Sequence, residues 1–157
     1  MSIHTNLKPG DMFGRYRLES FLGAGGFAVV WKAYDTKTNI VVALKIFSSL
    51  DTQSINDLAA EYSAVHELSH PSIVRADYFD SIDNIPYLVM KFCSGGNLEH
   101  HEGRMSEETV LRMILQISEA MQYLHDQGLV HQDIKPANIL TLSLIHISEP
   151  TRRVVIS

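Results

Sequence analysis

The first ninety residues alternate short apolar runs with glycines and polar turns, a pattern typical of β-structure. A helix with Ser54 as its N-cap and its end marked by Pro71 is predicted between the third and fourth strands. Asp83 and Asn84 are predicted to form the turn that joins the last two strands. The predicted strands cover residues 16–22, 27–35, 40–47, 73–81 and 86–92. The first half of the chain is therefore predicted to be mostly antiparallel sheet with one helix.

After the glycine pair at 95–96 the pattern changes to the period of an amphipathic helix. Ser106 is its predicted N-cap, and Gly128 marks its predicted end. The apolar stripe of this helix is predicted to consist of Val110, Ile114, Ile117, Met121 and Leu124. Because sheet comes first and helix second, the predicted fold class is α+β, with two lobes joined near residues 93–96.

Composition narrows the possible classes of protein. The chain has 157 residues, of which 45% are hydrophobic, so it is expected to be one globular domain or part of a larger one. A net charge of −5 gives no general attraction for nucleic acids or anionic membranes, and we expect no nucleic-acid partner. One cysteine, Cys93, excludes an internal disulfide and favours the cytoplasm. No apolar run approaches the roughly 20 residues of a membrane span, so no membrane segment is expected.

Histidine is frequent, with eight residues that include the adjacent pair His100 and His101. No spacing with cysteine or carboxylate on one helix face supports a metal site at this pair. We therefore expect these histidines to be solvated.

A glycine-rich turn and a lysine in an apolar strand form the first candidate site. Gly23 and Gly25 stand between the first two predicted strands, where glycine lets backbone N–H groups approach phosphate oxygens. Lys45 follows 22 residues after Gly23, in a run long enough for a buried strand, where an ammonium needs an anion. Glu61 of the predicted helix is a candidate partner. A plain hairpin turn, a surface lysine and a solvated glutamate are the alternatives.

A second cluster follows the long helix. Asp133, Lys135 and Asn138 place a carboxylate, a cation and an amide within six residues. This spacing is the most specific chemical signal in the chain.

Taken together, these motifs resemble eukaryotic-type (Hanks-type) Ser/Thr protein kinases over residues 16–141. The amino-acid sequence of the segment around Asp133 resembles that of bacterial members. The resemblance implies a kinase N-lobe of antiparallel sheet plus one helix, followed by an incomplete helical C-lobe. It implies ATP and Mg²⁺ as cofactors and a protein with a Ser or Thr hydroxyl as the other substrate. The implied reaction is transfer of the γ-phosphoryl group of ATP to that hydroxyl.

The same resemblance implies roles for individual residues. Asp133 would be the catalytic base, Lys135 would stabilise the transferring phosphoryl group, and Asn138 would be a Mg²⁺ ligand. Lys45, oriented by Glu61, would hold the α- and β-phosphates. The other implied nucleotide-binding residues are Gly23, Gly25 and Phe27 of the phosphate loop, Leu22, Val30, Ala43 and Leu140 around adenine, Met90 at the gatekeeper position, and the backbone of Lys91 and Cys93 at the hinge.

Two positions depart from the family pattern. Ala28 replaces the third glycine of the loop, a mild change that should permit ATP binding. Gln132 replaces the arginine that in this family usually clamps a phosphorylated activation loop, so we expect a parent kinase that is not activated in that way. A nucleotide-binding pseudokinase or scaffold is the alternative, and the presence or absence of the D-F-G aspartate in the parent gene would decide between them.

The end of the chain carries a further departure. The domain boundaries expected are a lead-in at 1–15, the N-lobe at 16–92, the hinge and start of the C-lobe at 93–141, and a tail at 142–157. Residues 142–152 match the in-frame translation of a transposase adapter used in sequencing libraries, so the tail is interpreted as an artefact that replaces the strand pair and D-F-G segment of a kinase. A native strand pair is the alternative. The 157-residue polypeptide itself is expected to be a truncated, inactive and poorly soluble fragment.

Overall fold

A computed structural model of the chain describes residues 7–25, 27–48, 52–101, 103, 105–142 and 154–156, but not the side chains of residues 52, 61, 64, 65 and 154–156. The chain divides into two units. The first unit comprises Met1–Leu68 and Arg75–Phe92, and the second comprises Ser69–Val74 and Cys93–Ser157.

The first unit is built on a six-stranded antiparallel sheet with the order β1-β2-β3-β4-β6-β5. Its strands are β1 (Met12–Phe13), β2 (Tyr16–Ala24), β3 (Ala28–Asp35), β4 (Ile40–Phe47), β5 (Ala76–Ile82) and β6 (Ile85–Lys91). The five predicted strands are confirmed, although β5 begins three residues later than predicted and β1 was not predicted. Asp83 and Asn84 form the predicted turn with φ of 51° and 62°, the left-handed region that Asn and Asp tolerate well.

One face of this sheet forms the hydrophobic core of the first unit. Alternate residues of the three central strands point to the same side because side chains along a strand alternate between the two faces. The buried members of this cluster are Phe13, Tyr16, Leu18, Trp31, Ala33, Leu44, Ile46, Ile85, Tyr87 and Val89. Their opposite neighbours in β3, β4 and β6 therefore occupy the other face of the sheet.

The helix of the first unit, α1 (Thr52–Val65), begins and ends earlier than predicted. Ser54 lies inside its first turn and is not the N-cap, because Gln53 and Asp57 already form an i,i+4 side-chain hydrogen bond of 2.8 Å there. Pro71 does not mark its end, since the helix stops at Val65.

The second unit contains a long helix, α2 (Glu107–Asp126), and a short 3₁₀ helix, Leu98–His101. As predicted, the Ser106 hydroxyl caps α2 by accepting a hydrogen bond from the backbone N–H of Thr109. Gly128 follows the last turn with φ of 75°, which confirms the predicted end.

The predicted apolar stripe of α2 is wrong for two of its five members. Leu124 is buried and Ile117 and Met121 are half-buried, but Val110 and Ile114 are exposed. The buried positions are Thr109, Met113, Ala120 and Leu124. Apolar residues lie on more than one side of this helix, so periodicity alone could not identify the covered side.

A two-stranded antiparallel sheet closes the second unit. β7 (Ile139–Thr141) pairs with β8 (Val154–Ile156), with Leu140 opposite Val155. The three residues of β8 are β-branched, which favours a strand. The interpretation of the tail as an artefact stays a prediction. Residues 143–153 and 157 of the tail lie outside the described residues.

Among the described helices, none has the length and apolar character that crossing a membrane requires.

Candidate active site

The face of the sheet opposite the core brings four predicted nucleotide-binding residues together. Val30 of β3 lies opposite Lys45 of β4, and Ala43 of β4 lies opposite Met90 of β6. Ala43 and Lys45 are two residues apart and so point to the same face, whereas Leu44 between them is fully buried in the core. Lys45 is half-buried, with its Nζ 5.4 Å from the centroid of the Phe47 ring. A cation and three apolar side chains thus share one face of the first unit.

The glycine-rich turn joins β2 to β3 on the same part of the sheet. Gly23 pairs with Val30, and the Gly25 N–H donates to the carbonyl of Ala28 at 2.8 Å. A Cβ built on Gly23 or Gly25 would meet no atom within 4 Å, and neither glycine has a positive φ. Packing and backbone conformation in the described part of the chain therefore give no reason for glycine at these two positions, which fits a role in ligand approach.

The remaining loop and strand residues predicted to bind nucleotide are accessible. Phe27, at the tip of the turn, is 74% exposed, and its carbonyl accepts from the backbone N–H of Ser48 at 2.8 Å. Leu22 is also exposed, in the irregular part of β2. Lys91, the last residue of β6, is exposed and lies opposite Val42.

Glu61 lies in α1, but its side chain is outside the described part of the structure. The predicted Lys45–Glu61 ion pair therefore stays a prediction.

In the second unit, the segment that begins at Cys93 is held against β7. The Gly96 N–H donates to the carbonyl of Cys93 at 3.3 Å and closes a turn. Cys93 is buried, and Leu140 of β7 is half-buried and bridges to Asn97. Cys93, predicted to lie at the hinge, and Leu140, predicted to contact adenine, therefore lie in neighbouring segments of the chain.

The three chemically distinctive residues after α2 converge on one carboxylate. The Lys135 Nζ lies 3.0 Å from Asp133 Oδ2, and the Asn138 Nδ2 donates to the same oxygen at 2.9 Å. Asn138 also donates to the Asp133 backbone carbonyl at 2.9 Å. This cluster was predicted from residue spacing, and the structure brings all three groups together.

Local backbone geometry explains how such a short segment folds onto itself. Pro136 opens a short 3₁₀ helix, Pro136–Asn138, and the Asn138 N–H donates to the carbonyl of Lys135 at 2.9 Å. Before it, Gln132 has φ of 53°, and the Asp133 N–H donates to the carbonyl of His131 at 2.6 Å. The left-handed residue reverses the chain so that the Asp133 side chain faces the residues that follow it.

The hydrogen bonds from Lys135 and then Asn138, with a smaller electrostatic contribution from both Lys135 and His131, lower the pKa of Asp133 below its ordinary value of 3.8. Asp133 is therefore ionised at neutral pH, although its side chain is exposed to solvent. An ionised carboxylate in contact with solvent can accept a proton from a hydroxyl group.

One oxygen atom of this cluster could coordinate a hard cation such as Mg²⁺. Because the Asn138 nitrogen donates to Asp133, its Oδ1 is the atom that could coordinate Mg²⁺, which prefers oxygen ligands. Among the residues that the structure describes, no group of three or more His, Cys, Asp or Glu side chains could hold a metal ion. Of this cluster, Asn138 therefore fits the role of one protein ligand to a Mg²⁺ ion that also binds phosphate.

One residue near the hinge was not identified as important from the sequence. His101 was expected to be solvated, but it is only 6% exposed and its Nε2 lies 2.8 Å from the carbonyl oxygen of Gly95. The expectation is wrong because the 3₁₀ helix turns this histidine inward. The adjacent His100 is exposed, as expected.

Comparison with known proteins identifies the family of the chain. The protein kinase domain family matches residues 16–147. Human serine/threonine-protein kinase ULK3 is 40% identical over 147 residues, which cover 86% of this chain and 31% of the relative. A probable serine/threonine-protein kinase from Streptomyces coelicolor is 37% identical over 144 residues, covering 85% of this chain and 21% of the relative.

A crystal structure of Rad53 1-466 in complex with AMP-PNP superimposes with a TM-score of 0.76 at 30% identity, covering 91% of this chain and 38% of that one. The chain thus spans about a third or less of the length of the curated relatives described above.

Proposed function

Because the chain belongs to the protein kinase domain family, we propose that it carries the nucleotide-binding and phosphoryl-transfer groups of a serine/threonine protein kinase. The observation that carries the proposal is the convergence of Lys135 and Asn138 on the Asp133 carboxylate. The matched relatives are serine/threonine kinases, and the Rad53 structure holds AMP-PNP, which supports ATP as the nucleotide. The parent enzyme would work in the cytoplasm on a protein substrate.

In the proposed reaction, Asp133 accepts the proton of a substrate Ser or Thr hydroxyl while the oxygen of that hydroxyl attacks the γ-phosphorus of ATP. The bond from that phosphorus to the β–γ bridging oxygen breaks, and ADP leaves. Lys135, 3.0 Å from Asp133, would also stabilise the negative charge that spreads over the transferring phosphoryl oxygens. Asn138 would ligate Mg²⁺, which when bound neutralises charge on the phosphate oxygens.

The first unit would hold the nucleotide itself. Lys45 would bind the α- and β-phosphates with Glu61 orienting it, and Gly23, Gly25 and Phe27 would place backbone N–H groups over the phosphates. The adenine ring would lie on the apolar side chains Leu22, Val30, Ala43, Met90 and Leu140, with the backbone of Lys91 and Cys93 hydrogen-bonding its edge.

The experiment is calorimetric titration of the 157-residue chain with Mg-ATP. We expect Lys45→Met to weaken binding at least about tenfold, since it removes a charged phosphate contact. Lys37→Met, which removes an exposed lysine from the turn after β3, is the control and should leave binding unchanged. Equal binding by wild type and Lys45→Met would contradict the proposal.

Transfer is tested in the full reading frame of the parent gene. Asp133→Asn should lower the transfer rate by about 10²-fold or more, because the amide cannot accept the proton, while Mg-ATP affinity stays close to that of wild type. The 157-residue chain itself is expected to show negligible transfer. Undiminished transfer by Asp133→Asn would contradict the role of this carboxylate.

A further inference from the structure

The turn that follows Cys93 is held in place from two sides within the second unit. On one side, the Gly95 N–H donates to the carbonyl of Thr141 at 3.0 Å, and the Thr141 N–H donates to the carbonyl of Gly96 at 2.8 Å. On the other side, His101 reaches the carbonyl of Gly95 at 2.8 Å. Both peptide groups of the turn are therefore fixed by groups from outside it.

His101 and Thr141 are both buried, with Thr141 fully so. A carbonyl oxygen can only accept a hydrogen bond, so the His101 Nε2 carries a proton and donates. Loss of this donor would leave the Gly95 carbonyl without the side-chain bond in a buried setting, where an unsatisfied polar group is costly.

Packing and backbone geometry restrict the conformation of this turn. A Cβ on Gly95 would overlap Thr141 Oγ1 and would lie 2.6 Å from the Thr141 carbonyl oxygen. Gly96 has φ of 68°, which other residues rarely adopt. The position of Gly95 is thus set by contact with β7 and by the bond from His101.

We propose that His101 is a positioning residue for nucleotide binding: its Nε2–H holds the Gly95 carbonyl and so keeps the backbone of Cys93 oriented toward the adenine ring. The inference rests on the proposed function, which assigns the Cys93 backbone to the base. The phosphate loop and Lys45 belong to the first unit. Lys135 and Asn138 belong to the second unit, but their side chains are bound to the Asp133 carboxylate. His101 should therefore affect recognition of the base and not of the phosphates.

The experiment compares two ligands on the 157-residue chain by calorimetry in the presence of Mg²⁺: ATP, and inorganic tripolyphosphate, which lacks the base. We expect His101→Leu to weaken ATP binding by about threefold to tenfold, the value of one buried hydrogen bond, and to leave tripolyphosphate binding unchanged. His101→Gln, which keeps an N–H donor of similar reach, should restore most of the ATP affinity. His125→Leu, at an exposed histidine of α2, is the matched control and should bind both ligands like wild type.

Three results would overturn the inference: ATP affinity unchanged in His101→Leu, equal losses for ATP and tripolyphosphate, or no recovery in His101→Gln. A wild-type chain that binds no ATP would instead refute the proposed function itself. If His101→Leu does not fold, ¹⁵N spectra of the wild-type imidazole decide the matter. A protonated Nε2 at neutral pH, with a shift of the Gly95 carbonyl resonance on ATP addition, supports the proposal, whereas an unprotonated Nε2 or an unmoved carbonyl contradicts it.

Discussion

The two units of the chain differ in how completely they bury their own apolar residues. In the first unit, one face of the sheet encloses a cluster of ten buried residues, and Leu18, Ala33, Leu44 and Ile46 are fully inaccessible. In the second unit, α2 buries four positions but leaves Val110, Leu111, Ile114 and Leu115 exposed. The exposed four lie at i, i+1, i+4 and i+5, which places them side by side on the helix.

This difference shows where the stability of the described chain resides. An antiparallel sheet with a complete apolar face supplies its own core, whereas a helix with apolar residues on two sides needs more partners than the described part of the second unit provides. The expected poor solubility of the chain follows from α2 and not from the sheet.

The same substitution in the two units gives the largest predicted contrast. Leu44→Ala, at a fully buried position, should lower the free energy of unfolding of the first unit by about 2–5 kcal/mol, since it removes buried methylenes and leaves a cavity. Leu111→Ala, at a side chain 60% exposed, should change stability by less than about 0.5 kcal/mol and reduce binding of a hydrophobic dye. Urea unfolding followed by fluorescence of the single tryptophan, Trp31, measures the first effect, and helical circular dichroism the second. A comparable loss from both variants would contradict the difference between the units.

A glycine pair tests the tightly packed part of the second unit. Gly95→Ala should destabilise that unit by about 1–3 kcal/mol because the added methyl overlaps buried Thr141 atoms. Gly23→Ala, where the new methyl meets no atom within 4 Å, is the control for the first unit. Thermal unfolding curves measure both. A Gly95→Ala protein as stable as the wild type would show that the contact with β7 is loose.

Two carboxylates, one in each unit, have lowered pKa values for different reasons. Asp35 at the end of β3 is only 3% exposed, and although burial alone would raise its pKa, bonds from the Lys37 and Thr38 N–H groups and Arg15 at 3.0 Å outweigh this and lower it. Its stabilising contribution is therefore fully present above the ordinary pKa of 3.8 and is lost as pH falls through the lower folded value. Asp35→Asn should cost about 1 kcal/mol at pH 7 and flatten the decline in stability below pH 4. Urea midpoints measured between pH 7 and pH 3 check this, and an unchanged pH profile would refute it.

The second carboxylate, Asp133, gives the smallest predicted effect because it is exposed. Its titration followed by carboxyl ¹³C shifts should have a midpoint below 3.8, and Lys135→Ala should move that midpoint upward toward 3.8. Added salt should weaken the shift at Asp133 more than at buried Asp35. A midpoint indifferent to Lys135→Ala would show that the ion pair does not form in solution.

Local sequence features predicted the elements well and their ends less well. Strands rich in β-branched residues, the Ser106 cap and the Gly128 stop depend on neighbouring residues, and each was predicted correctly. The covered side of α2 depends on contacts with distant residues, which periodicity does not contain. The start of α1 was predicted wrongly because the local bond between Gln53 and Asp57 was not considered. The strand β8 was not among the predicted elements because the tail was interpreted as an artefact, an interpretation that stays a prediction.

For the candidate site, too, the sequence predicted the arrangement of some residues and not of others. Asp133, Lys135 and Asn138 lie within six residues, so their spacing predicted one cluster, but not the bonds that converge on the Asp133 carboxylate. The shared face of Ala43 and Lys45 follows from the two-residue period of a strand, but its pairing with Met90 required the sheet register. His101 was missed because nothing in its neighbourhood distinguishes an inward-facing histidine from a solvated one.

The central proposal is that Lys45 of the first unit and Lys135 of the second unit each bind phosphate groups of ATP, and acyl-phosphate labelling tests it most directly. An ATP derivative that transfers its acyl group from the terminal phosphate to a nearby amine is incubated with the chain, and modified lysines are identified by mass spectrometry. The account predicts modification at Lys45 and Lys135 that excess ATP suppresses, with little at the surface residues Lys8 and Lys37. Equal modification of all these lysines, unaffected by excess ATP, would contradict it.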